Sequence, residues 1–254
     1  MKKLELIALE GIPLIEEGDN LVEIILTALE RNKISLSNGN VLVIAQKIVS
    51  KSEGRYASLN DIKPSKQAID LSRETDKDPK LVQLILNESK EVVRYRKGVI
   101  VVENILGLIH ANAGIDKSNI NSDSNNPRVL LLPLDPDKSA TEIRKEILKK
   151  TKKKVGIIIN DSSGRAWRNG IVGIAIGSSG AEVLSDLKGN LDLFGNTLEV
   201  TEVGKADEVA SAASLLMGQG KEALPVVVIK GLTESEDLNG AKALIRKSSE
   251  DLFR

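Results

Sequence analysis

The chain contains no cysteine and only one histidine. Disulfides, thiolate metal sites, iron–sulfur clusters and cysteine nucleophiles are therefore excluded, and a histidine-ligated zinc site or a histidine-based triad is disfavoured. Aromatic residues make up 2% of the 254 positions, too few for the stacking platform of a single-strand nucleic-acid binder. No apolar run of about 18 residues occurs, so the sequence offers no membrane span. Lysine plus arginine equals aspartate plus glutamate at 36 each, and no net field directs the chain to nucleic acid or an anionic membrane. The opening Met1-Lys-Lys-Leu-Glu-Leu-Ile7 turns acidic too early for a secretory signal. We expect a soluble cytoplasmic protein with neither nucleic acid nor membrane as partner. Any metal it uses should be hard and oxygen-bound.

A P-loop is also missing, since no Gly-x-x-x-x-Gly-Lys-Ser/Thr string occurs. The looser dinucleotide pattern is met by Gly218-Gln-Gly220-Lys-Glu-Ala223. It follows a helical stretch instead of a strand, and Pro225 comes almost at once, so a Rossmann site is rejected. Its glycines still suit a turn whose bare N–H groups contact an anion.

What is present alternates between strand and helix periods. Leu4–Ala8, Val41–Ala45, Val129–Leu132, Ile171–Ile176 and Val226–Ile229 read as strands, and Val92–Tyr95, Val99–Glu103 and Leu108–His110 as closely spaced ones turning at Lys97-Gly98. Helical spacing covers Asn20–Arg31, Ser65–Glu74, Pro79–Ser89, Ala206–Met217 and a charged terminal stretch, Glu234–Asp251. Ser139–Lys150 reads as a helix capped by Ser139 with Glu142 three residues on. Ile120–Pro127 reads as a surface loop. Hairpins mixed with helix-separated strands point to an α+β fold in place of a purely doubly wound sheet.

Three polar clusters follow strands. The most informative is Val155-Gly-Ile-Ile-Ile-Asn-Asp161-Ser-Ser-Gly-Arg165-Ala-Trp-Arg168, a buried strand that ends in an acid, two hydroxyls and two arginines. Asp161 suits a hard cation, Ser162 and Ser163 could add oxygen ligands, and Arg165 and Arg168 match phosphate or carboxylate forks. Alone this is an ordinary solvated turn. A second cluster, Asn112-Ala-Gly-Ile-Asp116-Lys-Ser-Asn119, supplies another carboxylate among amides and hydroxyls. Two such acids on separate strand ends meet the needs of a Mg²⁺ or Mn²⁺ triphosphate site. The third, Gln46, Lys47, Lys51 and Arg55, reads either as a solvated basic loop or as point charges for phosphates. His110 reads as a structural histidine, and Trp167 could either pack or shape a pocket.

In this order the clusters carry a resemblance. The chain resembles the coenzyme F420-0:γ-glutamyl ligase (CofE) family through Glu10–Ile15, Ala45–Arg55, Asn112–Asn119, Leu131–Ala140, Asp161–Arg165 running on to Gly177, Ala206–Glu208 and Leu216–Gly218. The match runs from about residue 4 to 232, treating 1–254 as a single catalytic unit with the terminal helix over 234–251. The resemblance implies a mixed-sheet CofE-like α+β fold of two intertwined lobes, without a P-loop, assembled as a homodimer. It also implies GTP-dependent addition of L-glutamate to the lactyl carboxylate of F420-0 and then through a γ-linkage, aided by two Mn²⁺ or Mg²⁺ ions and K⁺.

Residue by residue, the resemblance implies GTP contacts from Ile12, Pro13, Leu14, Ile15, Gln46, Lys47, Lys51 and Asn119. The segment Met217, Gly218, Gln219, Gly220, Lys221, Glu222, Ala223 and Leu224 is expected to wrap the nucleotide. Asp116 and Asp161 are implied as ligands of the first metal, Ser162 and Gln219 of the second, with Asp116, Asp161 and Lys51 in the catalytic centre. Ser162 stands where the pattern has threonine, Gln219 where glutamate is expected, and Asn190 and Asn196 where arginines are frequent. The last pair keeps open a related ligase on another carboxylate acceptor, and a nucleotide-binding module without ligation stands as a separate alternative.

Overall fold

The computed structural model describes residues 2–123 and 125–252. In chain order its elements are β1 (Glu5–Ala8), α1 (Leu21–Arg31), β2 (Val41–Ala45), α2 (Gln46–Ser52), β3 (Tyr56–Ser58), α3 (Lys66–Thr75), α4 (Pro79–Asn87), β4 (Ser89–Arg96) and β5 (Val99–Asn104). They continue with β6 (Ile109–Ala111), β7 (Arg128–Leu130), α5 (Pro136–Thr151), β8 (Gly156–Arg165), β9 (Arg168–Ser179), β10 (Ser185–Asp186), β11 (Glu202–Val203), α6 (Lys205–Met217) and β12 (Val226–Lys230). The α+β reading holds.

The main sheet has the order β1-β12-β2-β8-β9 and is mixed: β2 and β8 run parallel, and the other neighbours are antiparallel. Its central strands, Val41–Ala45, Gly156–Asn160 and Val226–Ile229, are almost wholly buried because both faces are covered. On one face Leu42, Ile44, Ile157 and Ile159 pack with Leu21, Ile25 and Leu29 of α1 and Ile143 and Ile147 of α5. On the other, Val43, Ile158 and Val227 pack against Ala206, Ala210 and Ala213 of α6, whose small side chains let the helix approach closely.

A parallel pair needs a crossover, and here it carries a second body. Between β2 and α5 the chain builds a separate apolar cluster from Leu71, Leu81, Val82, Ile85, Ile100, Val102 and Leu131, with β4-β5-β6 as its own sheet. Leu131 N–H bonds the Arg55 carbonyl at 2.9 Å, and Asp116 and Leu130 exchange backbone hydrogen bonds. These ties hold the Asn112–Asn119 loop against the start of the crossover.

Several elements differ from the sequence expectation. Gln46–Arg55 is not a basic loop: Gln46–Ser52 is helical and starts directly from β2. α5 begins at Pro136, capped by Asp135, whose carboxylate accepts from Lys138 N–H at 3.0 Å. Ser139 lies inside that helix and donates to the Asp135 carbonyl. β8 does not stop at Asp161 but runs on to Arg165 and pairs with β9 throughout. The helix expected over 234–251 is replaced by 3-10 turns at Ala241–Leu244 and Ser248–Glu250. Gly240, at φ 74°, breaks a helical path. The Asp137 carboxylate then takes the N–H groups of Ser178 and Ala241 at 2.8 and 2.6 Å, tying this segment to β9.

The edge strand β9 is closed by α6 in place of another strand. Asp207 accepts from Ala175 N–H at 2.8 Å, and Ser211 donates to the Gly173 carbonyl at 2.7 Å. A Cβ at Gly173 would lie 2.6 Å from the Ala210 carbonyl oxygen, so the seating requires glycine. We expect Gly173→Ala to cost about 1–3 kcal/mol, read as a lower urea midpoint. An unchanged midpoint would show that α6 does not sit this tightly on β9.

Candidate active site

The sheet brings four separated segments to one edge. β1 ends at Ala8 opposite Val227, β2 ends at Ala45 opposite Asn160, and β12 starts at Val226 opposite Ile44. The segments Ile12–Ile15, Gln46–Lys51, Asp161 onward and Met217–Leu224 therefore all leave from the same side. The fifth, Asn112–Asn119, arrives from the second body. It carries left-handed backbone at Asn112 (φ 52°), Ala113 (φ 59°) and Asn119 (φ 56°). Such conformations in non-glycine residues need surrounding structure to hold them.

Gln46 and the two acids form the centre. Gln46 is buried, and its Nε2 donates to Asp116 Oδ2 at 3.0 Å while its Oε1 accepts from Ser50 Oγ at 2.9 Å. The second bond orients the amide, so its donor end faces the carboxylates. Lys47 Nζ lies 3.4 Å from Asp116 Oδ1 and donates to Ser118 Oγ at 2.8 Å. Lys51 Nζ donates to the Asn119 carbonyl at 2.8 Å, and Asn119 Nδ2 donates to the Gly220 carbonyl at 3.1 Å. Ser162 Oγ donates to Gln219 Oε1 at 2.9 Å. Met217 Sδ stands 3.4 Å from Asn160 Nδ2, Glu222 accepts from Gly220 N–H at 2.7 Å, and Ala223 holds φ 55°. Lys221 is exposed and Leu224 half-buried. Ile15 is buried in the core and Leu14 exposed; among the described residues Ile12–Ile15 make no hydrogen bond to the cluster.

The electrostatics of this centre are unbalanced. Burial, reinforced by the charge of Asp116, raises Asp161 to about 7, although the Ser162 N–H, Lys47 and Gln46 all oppose it. Burial also raises Asp116, against the pull of Lys47 and Gln46. Burial, then the neighbouring Lys47 charge, lowers Lys51. Two buried acids, one of them raised further by the charge of the other, form a site that a cation would relieve.

The donor set fits a hard cation. Carboxylates, a hydroxyl and an amide oxygen are the only ligand types offered by Asp116, Asp161, Ser162 and Gln219. Among the described residues no group of three or more His, Cys, Asp or Glu side chains converges on one point. A small divalent ion takes one or two carboxylates and completes its shell with water and substrate phosphates, and Asp116 and Asp161 would supply two. Adjacent strand residues point to opposite faces, so Asp161 and Ser162 serve different sides of β8.

Comparison with known proteins now bears on the site. The family model for F420-0:γ-glutamyl ligase matches residues 11–231. The chain belongs to this family. It is similar to proteins named coenzyme F420:L-glutamate ligase from Methanothermobacter thermautotrophicus, at 43% identity over 99% of both chains, and from Methanocaldococcus jannaschii, at 45% identity over 100% of this chain and 98% of the relative. A third relative of that name, from Archaeoglobus fulgidus, is 40% identical over 99% of this chain and 97% of its own length. Among the described residues no helix is long and apolar enough to cross a membrane.

Sequence reasoning did not place His110 beside Asp161. Its side chain is 3% exposed, and its Nε2 lies 3.8 Å from Asp161 Oδ2. Among the described residues neither ring nitrogen has a hydrogen-bond partner. Burial lowers its pKa to about 4, and the ring packs beside Asp161, whose side chain is 12% exposed. The available signal was chain position: the single histidine lies six residues before Asp116.

These two groups give opposite pH dependences. Asp161, raised from 3.8 to about 7, keeps its proton in the folded state while the unfolded chain releases it, so its term lowers stability as pH rises from 3.8 to about 7. His110, lowered from 6.5 to about 4, is neutral when folded and protonated when unfolded, so its term raises stability from about 4 to 6.5. The terms offset each other over most of that window. In EDTA, Asp161→Asn should unmask stability that rises with pH over the His110 window, and His110→Gln stability that falls over the Asp161 window. Slopes should approach about 1.4 kcal/mol per pH unit. Urea midpoints from pH 4 to 7 test this; parallel curves for both variants would refute it.

Proposed function

We propose that the chain is a GTP-dependent ligase, acting as one catalytic unit, that adds L-glutamate to the lactyl carboxylate of F420-0 and then through a γ-linkage. The observation that carries the reading is the facing of Asp116 and Asp161 around Gln46, beside Lys47 and Lys51. It gathers oxygen donors and two lysine ammonium groups where metal cations and phosphates can meet. The relatives' shared name supplies glutamate and coenzyme F420 as substrates.

A carboxylate resists attack by an amine because its charge is delocalised. The reading solves this by transferring the γ-phosphoryl group of GTP to a carboxylate oxygen of the acceptor, giving an acyl phosphate and GDP. The α-amino nitrogen of glutamate then forms the C–N bond as the C–O bond to phosphate breaks, and the amine proton leaves with phosphate or a carboxylate. Asp116 and Asp161, with Ser162 and Gln219, would hold two Mn²⁺ or Mg²⁺ ions, which supply charge neutralisation at the phosphates. Lys47 and Lys51 provide further positive charge, and Asn119 and the Met217–Leu224 turn enclose the nucleotide. Buried His110 packs beside Asp161. The catalytic contribution is alignment and electrostatic stabilisation.

The reading extends to K⁺ as an activating ion, a cytoplasmic location and a homodimer in which the main sheet and the crossover body serve as the two intertwined lobes. The exposed Leu193, Phe194 and Val200 support a dimer, since a soluble monomer rarely presents such a cluster to water. In the same arm Asn196 bonds Asp192 at 2.9 Å, and neither Asn190 nor Asn196 offers a positive charge to an anion. That feature favours, as the second reading, a ligase for a different carboxylate acceptor.

Mass spectrometry of F420-0 incubated with L-glutamate, GTP, Mn²⁺ and K⁺ tests the proposal. Stepwise glutamyl additions that vanish when F420-0, glutamate, GTP or Mn²⁺ is left out are expected, and omission of K⁺ should slow them. Nucleotide binding without modification of F420-0 would shift the assignment to another acceptor. Asp161→Asn should reduce turnover at least a thousandfold (about 4 kcal/mol of transition-state stabilisation), with unchanged far-UV circular dichroism. Retained turnover with ordinary Mn²⁺ dependence would remove Asp161 from the centre.

A further inference from the structure

The β8–β9 ribbon continues beyond the site. Past Asn160, which faces the last residue of β2, the two strands pair alone from Asp161↔Ile174 to Arg165↔Arg168. The turn that joins them is Ala166-Trp167. Trp167 holds φ 62° and is 87% exposed. That turn position, with left-handed backbone, normally calls for glycine or asparagine, and a bulky residue there is an outlier. It is also the one tryptophan in the chain. Neither backbone preference nor burial explains its place, and strain kept at an exposed position points toward function.

Its neighbours sharpen the chemistry. Arg165 and Arg168 face each other across the turn, both exposed, and the Arg165 guanidinium is braced on the Asn169 carbonyl at 3.0 Å. An indole between two guanidinium groups can stack on a planar ring and fork an anion. Arg165 is four residues beyond Asp161 on one strand, about 13 Å at roughly 3.3 Å per residue. A ligand that reacts at Asp161 and reaches the turn must therefore be long, anionic and aromatic.

We propose that the Arg165–Arg168 turn is the subsite for the body of the acceptor, with Trp167 stacked on its aromatic ring and the two arginines on its anionic arm. This rests on the ligase reading above. GTP is the other aromatic anion in that reading, but Gln46–Lys51, Asn119 and Met217–Leu224 gather at the base of the ribbon. The tip belongs to the acceptor.

Because the chain has one tryptophan, its emission reports this turn directly. In the full-length protein, F420-0 alone should quench that emission saturably, after correction for coenzyme absorbance with free tryptophan, while GTP with Mn²⁺ should leave it unchanged. Trp167→Ala should raise KM for F420-0 about tenfold, with KM for GTP and glutamate within about twofold, and Trp167→Phe should keep most of the affinity. Arg168→Gln should raise KM for F420-0 in the same selective way. Unchanged emission with an unmoved F420-0 KM, in an enzyme that turns over, would overturn the assignment. So would quenching by GTP, which assigns the indole to the nucleotide. A change in sedimentation mass for Trp167→Ala would assign it to a subunit contact. If the wild-type protein forms no glutamyl product, the ligase reading falls, while saturable quenching by F420-0 still upholds the subsite.

Discussion

The parallel pairing of β2 with β8 is the constraint on which the site depends. Ala45 stands opposite Asn160, so the next residues, Gln46 and Asp161, leave the paired region side by side. One turns at once into α2, and the other continues along a ribbon that has lost its neighbour on that side. The crossover that a parallel pair requires has been expanded into a second body, which returns Asp116 to the same point. Gln46 can then serve both carboxylates because backbone register has already brought them together.

That register was only partly legible. The apolar runs Val41–Ala45 and Val226–Ile229 announced buried strands, and Asn20, Ser65 and Pro79 marked helix starts that the structure reproduces. Asp161 was recognisable as important but was read as a strand end, because a polar run normally means that the sheet has stopped. Here the ribbon is two-stranded and exposed over its outer part, Gly164 to Ile171, so polar residues are compatible with continued pairing. The terminal stretch misled for a different reason. Its charged residues have helical spacing, but the decisive group is Asp137, about a hundred positions earlier, which captures the N–H groups that a helix would need.

His110 illustrates a limit of another kind. A lone histidine on a short strand carries no local signal, and its meaning comes from β6 packing over β8. Its ring is placed against a carboxylate with no donor or acceptor to satisfy it. Leaving buried polar nitrogens unpaired costs stability, typically about 1–3 kcal/mol each. A ring that gained an acceptor would be protonated more easily and bring a further proton to the centre.

Three departures from local rules lie in or beside the β8–β9 ribbon. Asp161 is buried beside another acid, and His110 is unpaired against it. Trp167 holds left-handed backbone at the ribbon tip. None of them serves the core, which Ile157, Ile158, Ile159 and the strands beside them build independently. A fold is expected to break local rules where function requires it and to draw its stability from elsewhere. The β8–β9 ribbon joins the buried acid at its base to the left-handed Trp167 at its tip, while Gly173 of the same ribbon seats α6. The ribbon is anchored at its base and unusual toward its tip. A long acceptor needs that division: a fixed end where bonds change, and a reaching end that grips the remainder of the molecule.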